Sequence, residues 1–215
     1  MKKLVIFDLD GTLVNTISDL ASACNHALAA MNFPTHHLST YPFYVGNGVT
    51  RLIERALPSE NRDPDTVRKV RTVFMDYYDQ HCVDSSKPYD GIPDLLKKLV
   101  AMDIMVATAS NKYQAAVEKV IGTLFPDIPW VAAEGQKPDV QPKPDPSIVF
   151  EILSKHPIPK SEVLYVGDSG VDMETARRAC VDSVGVTWGF RPESELVENY
   201  ANHIIHRPLE LLSLL

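Results

Sequence analysis

Residues 7–13 read FDLDGTL and continue an apolar run that begins at residue 4. A short apolar run bounded by polar residues is the pattern of a buried strand. This one ends on two aspartates, Asp8 and Asp10, with Gly11 and Thr12 next. Asp-Gly is a common turn pair, but a turn has no use for a second acid. Two unit charges about 4 Å apart repel by roughly 4 kcal/mol at an effective dielectric of about 20. Acids set this close at a strand end imply a counter-charge.

Three further runs of the same kind occupy residues 104–108, 163–166 and 184–187. Helical patterns separate them. Leu95, Leu96, Leu99 and Val100 share one face, as do Ala116, Val117, Val120 and Ile121, with Gly122 as the stop. Asp145 and Pro146 start a helix whose apolar face carries Ile148, Val149, Ile152 and Leu153. This alternation predicts parallel βαβ units: an α/β fold with a Rossmann-like open parallel sheet flanked by helices.

Residues 16–87 break the alternation. Three apolar stripes at helical spacing run through them: Ile17 to Met31, Val49 to Leu57, and Val67 to His81. The pattern predicts an inserted all-helical domain at 16–87 within an α/β core of residues 1–15 and 88–215. Hinges are expected at residues 15–16 and 85–91, where Ser, Pro and Gly gather.

Composition narrows the partners. The chain has 215 residues, 45% hydrophobic and 23% charged, in the ordinary globular range. A net charge of −7 with no basic block argues against a nucleic-acid partner. Cys24, Cys82 and Cys180 are odd in number and far apart, so they are expected as reduced thiols packed in helices. MKKLVIFDLD meets charge too soon for a signal peptide, and no stretch of about 18 apolar residues occurs. A cytoplasmic protein without membrane partners is expected.

In an open parallel sheet, ligands bind outside the carboxyl ends of the strands. That edge should gather Asp8, Asp10, Asp168 and Asp172, with Ser110 and Asn111 after the second strand. Lys143 arrives on the loop 141–146, QPKPDP. So many carboxylates suit Mg2+, a hard cation that keeps waters and phosphate oxygens in its shell. A cation and a lysine beside carboxylates suit an anionic group, phosphate above all. Ser110, Asn111 and the backbone N–H groups of residues 9–12 could meet its oxygens.

Four segments in order resemble the motifs of the haloacid dehalogenase-type phosphatases. They are DLDGTL from Asp8, ATASN ending at Ser110 and Asn111, Lys143 in QPKPDP, and VGDSGVDMETA from Val166. The resemblance spans the chain, and the insert is similar to the family's helical cap. VGNGVTRLIERAL and GFRPESEL look like the phosphoglycolate phosphatase branch. The resemblance implies roles. Asp8 would form an aspartyl-phosphate and Asp10 would act as acid and base. Asp8, the Asp10 backbone carbonyl and Asp168 would hold magnesium, with Asp172 behind them or on a metal-bound water. Ser110 and Asn111 would bind phosphate, and Lys143 would bridge Asp8 to it. A magnesium-dependent phosphatase of a small phosphorylated metabolite is implied, phosphoglycolate first among substrates. The alternatives are a sugar-phosphate mutase resembling β-phosphoglucomutase, a nucleotidase, a pyrophosphatase, or a phosphate-binding protein without turnover.

Lys137 also precedes a proline, but Lys143 fits the helix start better. Arg51, Lys112 and Arg191 read as solvated surface, and His26, His36 and His37 lack metal-ligand spacing. Tyr77 and Tyr78 read as packing.

Overall fold

A computed structural model describes residues 1–215. The first strand, β1 (Leu4–Phe7), is buried at every position. Its alternation explains why. Val5 and Phe7 enter one apolar cluster, while Leu4 and Ile6 enter another on the opposite face. A central parallel strand is covered on both sides, so it reads as a continuous apolar run.

After β1 come β2 (Val14–Asn15), α1 (Ile17–Ala30), α2 (Gly48–Ala56), α3 (Pro64–His81) and β3 (Lys87–Pro88). Then follow α4 (Ile92–Ala101), β4 (Met105–Tyr113), α5 (Gln114–Leu124), β5 (Trp130–Gln136) and α6 (Ser147–Lys155). The chain ends with β6 (Val163–Gly167), α7 (Gly170–Ala179), β7 (Asp182–Val186), α8 (Glu193–Glu198) and β8 (His203–Ile205). The main sheet has the order β5-β4-β1-β6-β7-β8, with all neighbours parallel. Strand order reverses at β1, so the switch-point crevice opens beside Asp8. Residues of α4 and α5 line the larger cluster, and residues of α6 and α7 the smaller.

Two strands of the main sheet were not expected. Both lie at sheet edges, where only one neighbour must be satisfied and no unbroken apolar run is needed. β5 mixes Trp130, Glu134 and Gln136 into a half-buried pattern, and β8 has three residues. β4 extends past the expected residue 108 to Tyr113, with an irregular register between Ala109 and Tyr113. Gly122 does not stop α5, which continues to Leu124. That glycine faces open space, so the helix passes through it without a clash.

Residues 17–81 hold three α-helices and no strand of the main sheet. The two chain crossings form a small antiparallel ribbon, Val14 opposite Pro88 and Asn15 opposite Lys87. Asp19 on α1 secures the return crossing. Its Oδ2 accepts from the Ser86 N–H at 2.8 Å and the Ser86 hydroxyl at 2.6 Å. Cys24 and Cys82 are buried, as expected of packed thiols, but Cys180 is exposed. It caps α7 in a left-handed conformation, which turns it off the helix face. No helix is long and apolar enough to cross a membrane.

Candidate active site

Asp8 follows β1 directly, and its N–H donates to the Val166 carbonyl of β6 at 2.8 Å. The Asp8 position is thus anchored by a sheet hydrogen bond. The chain then turns: the Leu13 and Val14 N–H groups both donate to the Leu9 carbonyl. Gly11 sits in this turn at φ +89°, and a Cβ there would come within 2.4 Å of Asp168 Oδ2. Only glycine meets both demands. Thr12 completes the motif by donating its hydroxyl to Asp168 Oδ1 at 3.2 Å. The Phe190 N–H donates to Asp168 Oδ2 at 2.7 Å. Gly189 packs so closely that a Cβ would lie 2.2 Å from Asp168 Cβ.

Lys143 sits among the acids. Its ammonium lies 2.9 Å from Asp8 Oδ1 and 2.7 Å from Asp172 Oδ1. It also donates to the Ala109 carbonyl at 2.9 Å. Lys137, the rival lysine, pairs instead with Glu134 and Glu151, away from these acids. Asp172 has both oxygens engaged. Oδ1 faces Lys143, and Oδ2 closes a capping box at the start of α7 by accepting from the Ser169 N–H at 3.2 Å, with the Ser169 hydroxyl donating to it as well at 2.6 Å.

Asn111 holds the Lys143 loop. Its Oδ1 accepts from the Lys143 N–H at 2.8 Å, and its amide donates to the carbonyls of Lys143 and Gly46, each at 3.1 Å. Both amide protons are therefore committed to carbonyls of the protein itself. Ser110 Oγ accepts from the Lys112 N–H at 3.2 Å, and the residue lines the cavity with its hydroxyl proton uncommitted.

Asp8, Asp168 and Asp172 bring carboxylate oxygens within 4.8 Å of one another, all buried. Burial raises the Asp8 pKa to about 7, against the pull of Lys143 and with a further push from Asp172. Burial also holds Asp168 well above the usual carboxylate range, and Asp172 and Asp8 add to it. Burial works against the Lys143 charge, but Asp172 and Asp8 outweigh it and raise its pKa. One lysine cannot balance three carboxylates. Asp8 Oδ1 also has no hydrogen-bond partner, because the nearby ammonium is not aligned to donate to it. An all-oxygen, cation-deficient set of this kind fits a hard divalent cation.

Asp10 turns its carboxylate away from that group. Its Oδ1 accepts from the Thr16 hydroxyl at 2.7 Å, and its Oδ2 lies 2.9 Å from the Lys112 ammonium. Of Asp10, only the backbone carbonyl is left for an ion, and the carboxylate faces the cavity. That cavity, of ≈ 40 Å³, is lined by Asp8, Asp10, Ser110 and Lys112 on the sheet side. Leu20, Val45, Val49, Leu52, Phe74 and Tyr78 close it from the helical side.

Three expectations need correction here. Lys112 is no solvated lysine: its side chain is 3% exposed and donates to the Tyr78 hydroxyl at 2.8 Å. Tyr78 therefore belongs to the cavity wall as well as the core. Arg191 is not free either, since it donates to the carbonyls of Pro42 and Val45 and ties the helical segment to the loop after β7. The usable signal for Lys112 was its place directly after Asn111 at the end of β4. Tyr77 does pack, stacked between His26 and His81 with centroids 4.2 Å from each. His36 is occupied with the Ala56 carbonyl, and Arg51 is an exposed partner of Glu54.

A doubly wound sheet with a cation-deficient acid cluster at its switch point defines an α/β enzyme of acidic centre. Residues 5–186 match the family described as haloacid dehalogenase-like hydrolase, and the chain belongs to that family. The chain is 31% identical over 191 residues to the phosphoglycolate phosphatase of Mesorhizobium japonicum, covering 88% of this chain and 84% of the relative. It is 34% identical over 203 residues to that of Thiobacillus denitrificans, covering 90% and 88%. A crystal structure from Lactobacillus delbrueckii subsp. bulgaricus, provisionally assigned as a phosphoglycolate phosphatase, superposes with a TM-score of 0.91 at 30% identity. That match covers 98% of this chain and 97% of the other.

Proposed function

We propose that the protein is a magnesium-dependent phosphatase that hydrolyses a small phosphorylated metabolite through an aspartyl-phosphate on Asp8. One observation carries the reading: Asp8 Oδ1 is buried at the end of β1 without a hydrogen bond, beside the ammonium of Lys143. A carboxylate so held keeps Oδ1 against the ammonium and leaves its other oxygen, on the side that lines the cavity, to attack.

In the first step an Asp8 oxygen attacks phosphorus and the ester P–O bond breaks. The bonding electrons stay on the leaving oxygen, which takes a proton from Asp10. In the second step water attacks the same phosphorus, the P–O bond to Asp8 breaks, and Asp10 takes the water's proton. One ester and one water become one alcohol and one inorganic phosphate. Lys143 offsets charge on Asp8 and the phosphoryl group, and the Ser110 hydroxyl donates to a phosphoryl oxygen. Asp8, the Asp10 backbone carbonyl and Asp168 would hold magnesium, which when bound supplies the positive charge that lets an anionic nucleophile meet an anionic ester. The apolar helical wall keeps bulk water from the intermediate.

Phosphoglycolate is the proposed substrate. The relatives' names support it. Three unpaired cysteines accord with a cytoplasmic setting. The test is release of inorganic phosphate from phosphoglycolate, a sugar phosphate, a nucleotide and p-nitrophenyl phosphate, with magnesium and with chelator. Phosphate release that stops with chelator is expected. Isomer formation without phosphate release would make the protein a mutase, and turnover of none of these esters would sink the reading.

A further inference from the structure

Among the residues lining the cavity, Lys112 is the sole cation. Lys143 stands behind the wall, held by Asp8, Asp172 and the Ala109 carbonyl. The rest of the helical side is mostly hydrocarbon: Leu20, Val45, Val49, Leu52 and Phe74. Nearby arginines are committed elsewhere. Arg55 donates to the Tyr44 carbonyl and Asn47, Arg191 to the Pro42 and Val45 carbonyls, and Arg51 pairs with Glu54 at the surface.

A buried ammonium has three N–H donors. That of Lys112 makes one aligned hydrogen bond, to the Tyr78 hydroxyl, and lies beside a single carboxylate, that of Asp10. The same site shows what a fully used lysine looks like. Lys143 bridges two carboxylates, at 2.9 and 2.7 Å, and donates to a carbonyl as well. Lys112 thus has capacity for a second anion, and the cavity is the side from which one can come. An anionic group entering a pocket walled by hydrocarbon must find a cation or remain unpaired at high cost.

We propose that Lys112 sets the substrate specificity of this site: its ammonium receives a carboxylate carried by the leaving group, and Tyr78 positions it. The inference rests on the phosphatase reading above and narrows the substrates to short phosphorylated hydroxy acids. Lys112 comes from β4 and Tyr78 from α3, so recognition of the carboxylate also engages the helical segment.

The test compares phosphoglycolate with 2-hydroxyethyl phosphate, which carries a neutral hydroxymethyl group where the first carries its carboxylate. Wild type should prefer phosphoglycolate by at least about 100-fold in kcat/KM, toward the roughly 10⁴-fold of a site built to pair a buried polar group. Lys112→Met should lower kcat/KM for both esters, because Asp10 loses its cation, but shrink the preference to about threefold through an additional rise in KM for phosphoglycolate. Lys112→Arg should restore part of the preference. Tyr78→Phe should raise KM for phosphoglycolate by about fivefold and change the neutral ester less, which loss of packing alone would not do. An equal fall on both esters in Lys112→Met, or an unchanged preference, would overturn the proposal. A wild-type protein that hydrolyses both esters equally sinks this inference alone, whereas one that hydrolyses no ester sinks the phosphatase reading. Should Lys112→Met fail to fold, inhibition of wild-type p-nitrophenyl phosphate hydrolysis decides. Glycolate should inhibit at least about tenfold more strongly than ethylene glycol, and equal inhibition refutes the role.

Discussion

At the carboxyl ends of β1 and β6, three carboxylates share one lysine; on β5 and α6, two carboxylates share two lysines. In the first group Asp8, Asp168, Asp172 and Lys143 are all buried. In the second, Glu134 and Glu151 meet Lys137 and Lys155 at 2.6 to 2.8 Å, and the two lysines are 31% and 49% exposed. The consequences are opposite. Hydrogen bonds from Lys137 and Lys155 lower the Glu151 pKa, and those to Glu134 and Glu151 raise Lys155 to about 12. Each charge there is stabilised by its neighbours, and the cluster calls for no ligand. At the sheet edge, burial drives Asp8 up to about 7 and Asp168 upward too, against their usual charge state. Charge that is balanced by its own neighbours calls for no ligand even where, as at Glu134, it is buried; charge that is unbalanced and dry marks a candidate binding site.

The sharpest way to break this contrast is Asp8→Asn. Hydrolysis should fall at least about 10⁴-fold, since no other group is placed to form the covalent intermediate. The fold should survive, so phosphate release measured alongside circular dichroism decides. Undiminished turnover would remove Asp8 from the nucleophile position.

Lys143→Met comes next. It leaves Asp8 and Asp172 buried without their cation, and removing one partner of a buried pair costs about 3–5 kcal/mol. Urea unfolding should show that loss, and turnover should fall about 100-fold or more. A variant as stable as wild type would mean that Lys143 is not the charge that holds the cluster.

The pH dependence of the metal-free protein tests the same imbalance from the other side. Folded Asp8 holds its proton to about pH 7, whereas the ordinary value is 3.8. Between those values the folded state binds more protons, so this group's contribution to stability is full in acid and is lost as pH rises through 7. With chelator present, Asp8→Asn should therefore melt about 5 °C above wild type at pH 8 and level with it near pH 4. A gap that widens toward acid would reverse the assignment.

The smallest effect belongs to the balanced cluster on β5 and α6. Lys137→Ala should change stability by less than about 1 kcal/mol and leave turnover alone, because solvent and Lys155 remain to serve both glutamates. A large loss of activity would put Lys137 in the place given to Lys143.

The sequence exposed much of this contrast and hid part of it. β1 and β6 were legible because strands covered on both faces are unbroken apolar runs. The aspartates were legible because each stands where such a run ends. β5 and β8 were not, since edge strands carry no such run. Lys112 was hidden for a different reason. A lysine reads as solvated by default, and what covers this one is Tyr78, 34 residues away on α3. Asn111 resembled a phosphate donor because its position fits one. Only the return of the Lys143 loop shows that its amide is already used.

By itself the sequence determined the alternation of strands and helices, the helical interruption and the placing of Asp8, Asp10, Asp168 and Asp172 after strands. Periodicity and residue type are local properties, and local physics reads them. The tertiary structure alone decided which lysine joins which acid: Lys143 with Asp8 and Asp172, Lys112 with Asp10, Lys137 with the surface. Burial and charge pairing depend on what folds against what, and identical side chains therefore acquire different chemistry from their surroundings.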